Sequence, residues 1–326
     1  MANTEIRIKV EDIRGTQSLR GRNLTSIQDL TPDEIRVLLD TASFLKETIK
    51  DNKTAHHSLL PGKTLAMIFE KPSLRTRVTF ETGMTQLGGH AIYLAPADIQ
   101  LGKRETVADV AKNLSRWCDV IMARVFSHKT ITELAENATV PVINGLSDLE
   151  HPCQALADFQ TIKERKGELK GLKLAFIGDG NNVANSLMLL AAKVGTHFSI
   201  GCPEGYEPDE EVVGWAKASA EESGSIIEVL GDPVEAVRNA DVVYTDVWTS
   251  MGQEAQVELR KMAFEGYQVN QSLMSHAKPD AIVLHCLPAH RGEEITSEVL
   301  DGPQSAVLDE AENRLHAQKA VLSLLV

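Results

Sequence analysis

Short apolar segments alternate with segments of helical spacing along most of the chain, and this alternation constrains the fold more than any other feature. It is typical of parallel β-sheets whose strands are connected by helices. Strands are predicted at Thr64–Phe69, Ala91–Leu94, Val120–Arg124, Val140–Ile143, Lys173–Ile177, His197–Gly201, Ile226–Leu230, Val242–Tyr244 and Ile282–His285. The expected fold class is therefore α/β.

The chain is long enough for two domains, because 326 residues exceed what one hydrophobic core usually serves. A helix predicted to begin at His151 and to end near Lys166 separates the first four strands from the last five. We therefore expect two doubly wound parallel-sheet domains, residues 1–150 and 151–326, joined by this linking helix. The amphipathic helix predicted at about 310–326 could pack on either domain.

The segment Ser73–Arg77, which reads Ser-Leu-Arg-Thr-Arg, lies between the first predicted strand and a segment of helical spacing. A helix start offers free backbone N–H groups and the positive end of the helix dipole. Two hydroxyls and two guanidiniums add the donors that suit a phosphate group. A solvated basic helix start is the alternative, but it would not require these residue types together. The segment therefore predicts a phosphate-binding turn.

Other polar side chains follow the predicted strands in both halves of the chain. They are Arg124, His151, Asn181, Asn182, Asp246, His285 and Cys286. In open α/β sheets, ligands bind at the carboxyl ends of the strands. The agreement between the two halves predicts one active site in the cleft between the domains.

Three features of the sequence allow other interpretations. Gly178–Asn182 resembles the start of a dinucleotide-binding turn, but Val183 stands where the third glycine would be, so a simple tight turn explains the glycines equally well. His285 and Cys286 are residue types that bind zinc or form a nucleophilic pair, yet no second ligand pair has zinc-site spacing. A lone histidine such as His151 is often only a buried packing residue.

Composition limits the class of partner and the compartment. The 46 acidic residues outnumber the 33 basic ones, and the net charge of −13 argues against binding to nucleic acid or to an anionic membrane. No apolar run approaches the ~20 residues of a membrane span, and the N-terminal segment lacks the apolar core of a signal peptide. The four scattered cysteines are typical of a reducing cytoplasm.

Four motifs, taken together, carry a family resemblance. They are Ser73–Arg77, His151–Gln154, Asp246 with Ser250–Gly252, and His285–Pro288. In order and spacing they resemble the ornithine-specific members of the aspartate/ornithine carbamoyltransferase family, from about Asn23 to the end of the chain. The phosphate loop of that family usually reads Ser-Thr-Arg-Thr-Arg. Here Leu74 replaces the first threonine, at a position expected to contribute mainly its backbone N–H.

The resemblance implies transfer of the carbamoyl group of carbamoyl phosphate to the δ-amine of L-ornithine, in arginine metabolism, with neither a metal nor an organic cofactor. It implies that Arg75, Arg124, His151 and Cys286 are catalytic. The residues it assigns to carbamoyl phosphate are Ser73, Leu74, Arg75, Thr76, Gln100, Arg124, His151, Gln154, Cys286, Leu287 and Arg314. Those it assigns to ornithine are Asn182, Asp246, Ser250 and Met251.

The resemblance also implies a homotrimer or a multiple of trimers, because Gln100 matches a residue that reaches a neighbouring subunit's site. Putrescine and N-acetylornithine remain alternative acceptors, although each lacks a group that Asn182, Asp246 and Ser250 would bind. A nicotinamide dehydrogenase and a carbamoyl phosphate-binding protein without turnover are the alternatives from other classes.

Overall fold

The computed structural model describes residues 19–50, 52–249 and 254–326, which divide into two compact units. The first unit comprises the described residues up to Gln160 together with Glu312–Val326, and the second comprises those of Thr161–Ala311. Each unit contains one parallel β-sheet with helices. No helix in the described part of the chain is both long and apolar enough to cross a membrane.

The first unit has a four-stranded sheet in the order β2-β1-β3-β4. Its strands are β1 (Thr64–Phe69), β2 (His90–Leu94), β3 (Val120–Arg124) and β4 (Val142–Leu146). Its helices are α1 (Pro32–Ile49), α2 (Leu74–Gln86), α3 (Pro96–Ile99), α4 (Val107–Trp117) and α5 (His128–Asn137), and α6 (Pro152–Lys166) begins in it. The order of the strands reverses between β1 and β3, which makes the ends of these two strands the expected ligand crevice.

Local sequence explains how the helices of this unit begin. Thr31 and Glu34 form a capping box at the start of α1, with Pro32 at the first helical position. Ser73 caps α2 and Thr106 caps α4, each by accepting a hydrogen bond from a backbone N–H three residues ahead. The predicted strand, turn and helix around Ser73 is therefore confirmed.

The second unit has a five-stranded sheet in the order β7-β6-β5-β8-β9. Its strands are β5 (Lys173–Ile177), β6 (His197–Gly201), β7 (Ile227–Leu230), β8 (Val242–Thr245) and β9 (Ile282–His285). Its helices are α7 (Asn182–Val194), α8 (Glu210–Ser223), α9 (Pro233–Val237), α10 (Val257–Ala263), α11 (Gln271–Met274) and α12 (Ser297–Leu300), and α13 (Val307–Leu325) begins in it. Here the order reverses between β5 and β8.

Gly180 shows why the turn after β5 contains a second glycine. A Cβ atom on this residue would lie 2.1 Å from the backbone nitrogen of Pro208, in the loop after β6. The backbone N–H of Gly180 also donates to the carbonyl of Tyr206 at 2.8 Å. Close packing of two loops therefore accounts for this glycine without a dinucleotide.

The predicted strand Val140–Ile143 has different bounds in the structure, because β4 runs from Val142 to Leu146. Pro141 supplies no backbone N–H to the sheet, and the pairing continues instead through the polar residue Asn144. Asn144 is fully buried, and its side-chain amide donates to the carbonyl of Thr25 at 2.9 Å. Apolar patterning cannot indicate a strand residue that is buried through a polar contact.

Candidate active site

The N-terminus of α2 follows β1 at the reversal point of the first sheet. The Oγ atom of Ser73 accepts a hydrogen bond from the backbone N–H of Thr76 at 3.3 Å. Leu74 is the first helical residue, and it is 74% exposed. As at any helix start, the N–H groups of this first turn have no partner within the helix, so they can serve an anion.

Thr76 is the point at which two arginines converge. Its Oγ1 atom lies 3.5 Å from Nη1 of Arg124 and 3.3 Å from Nη2 of Arg314, and all three residues are buried. Arg124 ends β3, which is the other strand at the reversal point, and Arg314 lies on α13. Two guanidiniums that share one hydroxyl repel each other, so the arrangement favours an anion beside them.

His151 directly precedes α6 and is 4% exposed. Burial holds the pKa of this imidazole well below its usual value, and the charges of Arg314, Arg124 and Arg75 lower it further. A neutral imidazole donates one hydrogen bond and accepts another. His151 is therefore buried, as the packing alternative expects, but its electrostatic neighbours are three of the predicted site residues.

Gln154 lies on the first turn of α6, and its side-chain amide is held from two sides. Its Oε1 atom accepts a hydrogen bond from Nη1 of Arg314, and its Nε2 donates to Oδ1 of Asp158 at 2.7 Å. Asp158 is fully buried and was not singled out from the sequence. The sequence spacing indicates this contact, because Gln154 and Asp158 are four residues apart and therefore share one face of the helix.

The described hydrogen bonds of Gln100 are all backbone bonds within its own turn. It is exposed and follows α3 in a left-handed conformation, with φ of 44°. Its carbonyl accepts from the N–H groups of Lys103 and Arg104 at 2.9 and 3.0 Å. The structure thus places Gln100 on an exposed turn rather than in the group around Thr76.

In the second unit, Asp246 follows β8 and binds side chains from both neighbouring strand ends. Its Oδ2 accepts from Nδ2 of Asn181 at 2.8 Å, and its Oδ1 accepts from Sγ of Cys286 at 3.0 Å. Asp246 is 7% exposed, while Cys286 is half-buried. The carboxylate of Asp246, after β8, and the thiol of Cys286, after β9, therefore lie together at the reversal point of the second sheet.

Asn181 binds Asp246, whereas the family resemblance implies an ornithine contact for Asn182. Asn181 caps α7, and its Oδ1 accepts from the N–H groups of Val183 and Ala184 at 2.9 and 3.1 Å. Asn182 is the first residue of α7 and is half-buried. Ser250 and Met251 lie outside the described residues.

His285 holds the turn that contains Cys286 and Leu287. Its Nδ1 accepts the backbone N–H of Leu287 at 2.9 Å, so its Nε2 is the donor to Oε1 of Glu294 at 3.1 Å. Both His285 and Glu294 are fully buried. Leu287 has a φ of 55°, a left-handed conformation that non-glycine residues rarely adopt without support. Sequence reasoning placed His285 at the strand end but did not find Glu294.

Asp246, His285 and Cys286 also form a group that could hold a metal ion, because one ligand atom of each lies within 4.8 Å of the others. Strand alternation predicts that His285 and Cys286 point apart, but β9 ends at His285, so alternation no longer applies to Cys286. Both ring nitrogens of His285 are already used by Leu287 and Glu294. A metal bound by this imidazole would have to displace one of those contacts.

Comparison with known proteins gives matches to both parts of the chain. Residues 22–164 match the family model described as the carbamoyl-P binding domain of aspartate/ornithine carbamoyltransferase. Residues 170–325 match the model for the Asp/Orn binding domain of the same family.

Similar proteins include ornithine carbamoyltransferases of two archaea. The protein of Pyrococcus abyssi is 60% identical over 309 residues, covering 95% of this chain and 97% of its own length. The anabolic ornithine carbamoyltransferase of Pyrococcus furiosus is 59% identical, covering 95% of this chain and 98% of its own. A solved structure of ornithine carbamoyltransferase from Pyrococcus furiosus superposes with a TM-score of 0.92 at 59% identity, over 94% of this chain and 98% of that one.

Proposed function

Because this chain belongs to the aspartate/ornithine carbamoyltransferase family, we propose that it transfers the carbamoyl group of carbamoyl phosphate to the δ-amine of L-ornithine, forming L-citrulline and phosphate. The observation that carries the proposal is the meeting of Arg124 and Arg314 at Thr76, at the start of α2. This arrangement suits a ligand in which a phosphate lies next to a carbonyl.

Carbamoyl phosphate binds to the first unit. Its phosphate lies at the N-terminus of α2, where Ser73, Arg75 and Thr76 and the backbone N–H of Leu74 are its donors. Its carbamoyl end is held by residues that are connected by hydrogen bonds or by electrostatic interactions. These are Arg124, His151, Gln154 and Arg314.

The same residues lower the barrier to the reaction. When the nitrogen lone pair attacks the carbonyl carbon, negative charge develops on the carbonyl oxygen. Thr76, Arg124 and the neutral imidazole of His151 are donors that stabilise this oxygen, as in an oxyanion hole. The bond between the carbonyl carbon and the phosphate oxygen then breaks, and the electron pair leaves with the phosphate.

L-Ornithine binds to the second unit. The carboxylate of Asp246 is oriented by Asn181 and Cys286, and it pairs with the α-ammonium group. Asn182, Ser250 and Met251 complete the contacts to the α-carbon substituents. We also assign Cys286 and the backbone of Leu287 to the reacting centre.

The attacking δ-amine must be neutral, although its pKa in water is near the ~10.4 of lysine. Positive charge disfavours the ammonium form, and the cations around His151, namely Arg75, Arg124 and Arg314, supply it at the carbamoyl group that the amine attacks. The nitrogen gives up one proton to the departing phosphate, which leaves as hydrogen phosphate. The chemistry contains no redox step and no covalent enzyme intermediate, so we assign no cofactor to it.

The test is to mix the purified protein with carbamoyl phosphate and one amine at a time, and to measure the ureido product. The amines are L-ornithine, putrescine, N-acetylornithine and L-aspartate. We expect product from ornithine alone, and we expect His151→Ala to lower kcat by on the order of 10²–10³ because one oxyanion donor is lost. The matched control is His276→Gln, which exchanges an exposed imidazole of the second unit that belongs to none of these motifs and leaves kcat unchanged.

The outcomes separate the alternatives. Product from another amine would replace ornithine as the acceptor and retain the reaction class. Tight binding of carbamoyl phosphate with no release of phosphate would favour a binding protein without turnover.

Assembly and context complete the proposal. We assign the chain to a homotrimer or a multiple of trimers, in which the exposed Gln100 reaches a neighbouring subunit's site. The anabolic name of the Pyrococcus furiosus relative supports a role in arginine biosynthesis. All four cysteines are free thiols, which supports a cytoplasmic location.

A further inference from the structure

Arg260, on α10, is a buried arginine that none of the motifs includes. It is 6% exposed, and its guanidinium lies over the ring of Tyr206, 5.0 Å from the ring centroid. Its Nη1 donates to Oδ2 of Asp179 at 2.8 Å and to the carbonyl of Trp248 at 2.9 Å. A buried arginine with this many directed contacts holds its partners in fixed positions.

The two partners of Arg260 belong to the two loops at the reversal point of the second sheet. Asp179 follows β5 and precedes Asn181 by two residues, and Trp248 follows Asp246 by two residues. Asn181 and Asp246 are themselves joined by a hydrogen bond of 2.8 Å. One guanidinium therefore ties together both loops that position the carboxylate of Asp246.

Arg260 also changes the charge beside Asp246. The pKa of Asp179 is raised, because burial and the nearby Asp246 together outweigh the charge and hydrogen bond of Arg260, which lower it. The thiol of Cys202 is a further neighbour of Asp179, and its pKa is raised to about 12 by burial, so it carries no charge. The ion pair with Arg260 cancels the charge of Asp179 and leaves Asp246 as the carboxylate that acts on a ligand.

We propose that Arg260 is a positioning residue for ornithine, which fixes the loops of Asn181 and Asp246 and limits the ornithine subsite to one negative charge. The inference rests on the proposed function. The single charge suits the two amino groups of the substrate, because the α-ammonium needs a carboxylate while the δ-amine must lose its proton. A second uncompensated carboxylate would favour the protonated δ-amine and slow the attack.

The experiment compares Arg260→Gln with Asp179→Asn in the full-length enzyme. Arg260→Gln leaves Asp179 without its cation, so we expect the KM for ornithine to rise at least tenfold, while the KM for carbamoyl phosphate stays within about twofold. The acid limb of the pH profile of kcat/KM for ornithine should move to higher pH by on the order of half a unit. Asp179→Asn leaves Arg260 uncompensated and should move that limb to lower pH.

A double variant separates the effect of Arg260 on the position of the loops from its effect on charge, and a further variant is the control. Arg260→Gln combined with Asp179→Asn restores the neutral pair, so the acid limb should return to its wild-type pH even where the KM stays high. The control is Lys261→Gln, which removes a cation of the same helix that pairs with Glu293 at the surface, and which should alter neither KM nor the pH profile.

If the wild-type enzyme makes citrulline, any one of three results would overturn the inference. The first is an equal rise in the KM of both substrates in Arg260→Gln. The others are a shift of the acid limb in the same direction for both single variants, or no shift in either variant. Asp179→Asn keeps an acceptor for Arg260, so it provides the charge readout if Arg260→Gln does not fold. Absence of citrulline with the wild-type enzyme would instead contradict the proposed function.

Discussion

Leu74 is an apolar side chain at the first position of a helix that we assign to phosphate. It is 74% exposed, so packing does not explain its presence. In the proposed site its contribution is the backbone N–H, which any residue except proline supplies. The identity of this side chain should therefore matter little to binding, whereas its backbone donor should matter much.

Leu74→Pro tests this donor directly. Proline is well tolerated at the first helical position, and the extended conformation of Ser73, with ψ of 124°, suits a residue before proline. Losing one hydrogen bond to a charged group costs about 1.5–3 kcal/mol, so we expect the KM for carbamoyl phosphate to rise about 10–100-fold with little change in thermal stability.

Leu74→Ala and Leu74→Thr are the matched controls for this substitution, because both retain the N–H. Initial rates at varied carbamoyl phosphate should give them a KM within about twofold of the wild-type value. An equal loss in Leu74→Ala would show that the leucine side chain, and not the backbone, is what the site uses.

Among the elements, the sequence predicted those whose signal is local. The bounds of β1, β3, β5, β6 and β9 are confirmed, because each strand is a short segment built around apolar residues and followed by a turn. The bounds predicted for β4 were wrong, since Asn144 extends it through a polar contact with the distant Thr25. The ties of Glu294 to His285 and of Arg260 to Asp179 were likewise not predictable, because they depend on how loops fold back.

Asn181 joins the element scale to the site, because one side chain both caps α7 and orients Asp246. Asn181→Ala should therefore lower the free energy of unfolding by about 1 kcal/mol, the usual cost of a lost cap. It should also raise the KM for ornithine, because Asp246 loses the donor that fixes its Oδ2. Chemical denaturation and initial rates at varied ornithine measure the two effects separately.

Asp209→Ala provides the comparison for Asn181. Asp209 caps α8 in the same unit and accepts from the N–H groups of Glu211 and Val212 at 2.9 and 3.4 Å. This substitution should cost a similar amount of stability and leave the KM for ornithine unchanged. If both variants raise that KM equally, the effect belongs to the stability of the unit and not to the orientation of Asp246.

At the scale of the whole molecule, the first unit buries several ionisable side chains that the sequence did not identify as such. Nζ of Lys319 lies 2.8 Å from Nδ1 of His56 and 2.9 Å from Oε1 of Gln86, and these partners are more than 200 residues away in the chain. Burial lowers the pKa of Lys319 to about 7. Such contacts follow from the return of α13 to the first unit, which no local pattern of the sequence encodes.

Three buried histidines of this unit make its stability depend on pH. Burial, with nearby lysines, lowers the pKa of His56 to about 4 and that of His316 to about 3, and burial with three arginines lowers the pKa of His151 well below 6.5. Above pH 6.5 neither the folded nor the unfolded state protonates them. Below pH 6.5 these imidazoles become protonated in the unfolded chain but stay neutral in the folded chain, so stability falls as the pH falls.

We therefore expect the thermal midpoint to decrease from pH 7 to pH 5, because these histidines take up to three protons on unfolding and contribute at most about 4 kcal/mol per pH unit. Calorimetry at pH 7, 6 and 5 measures this directly. His316→Gln should reduce the slope by about a third, because one imidazole no longer takes part. His90→Gln exchanges an exposed imidazole of the same unit and should leave the slope unchanged. A midpoint that does not vary over this range would show that the three histidines become protonated in the folded unit as well.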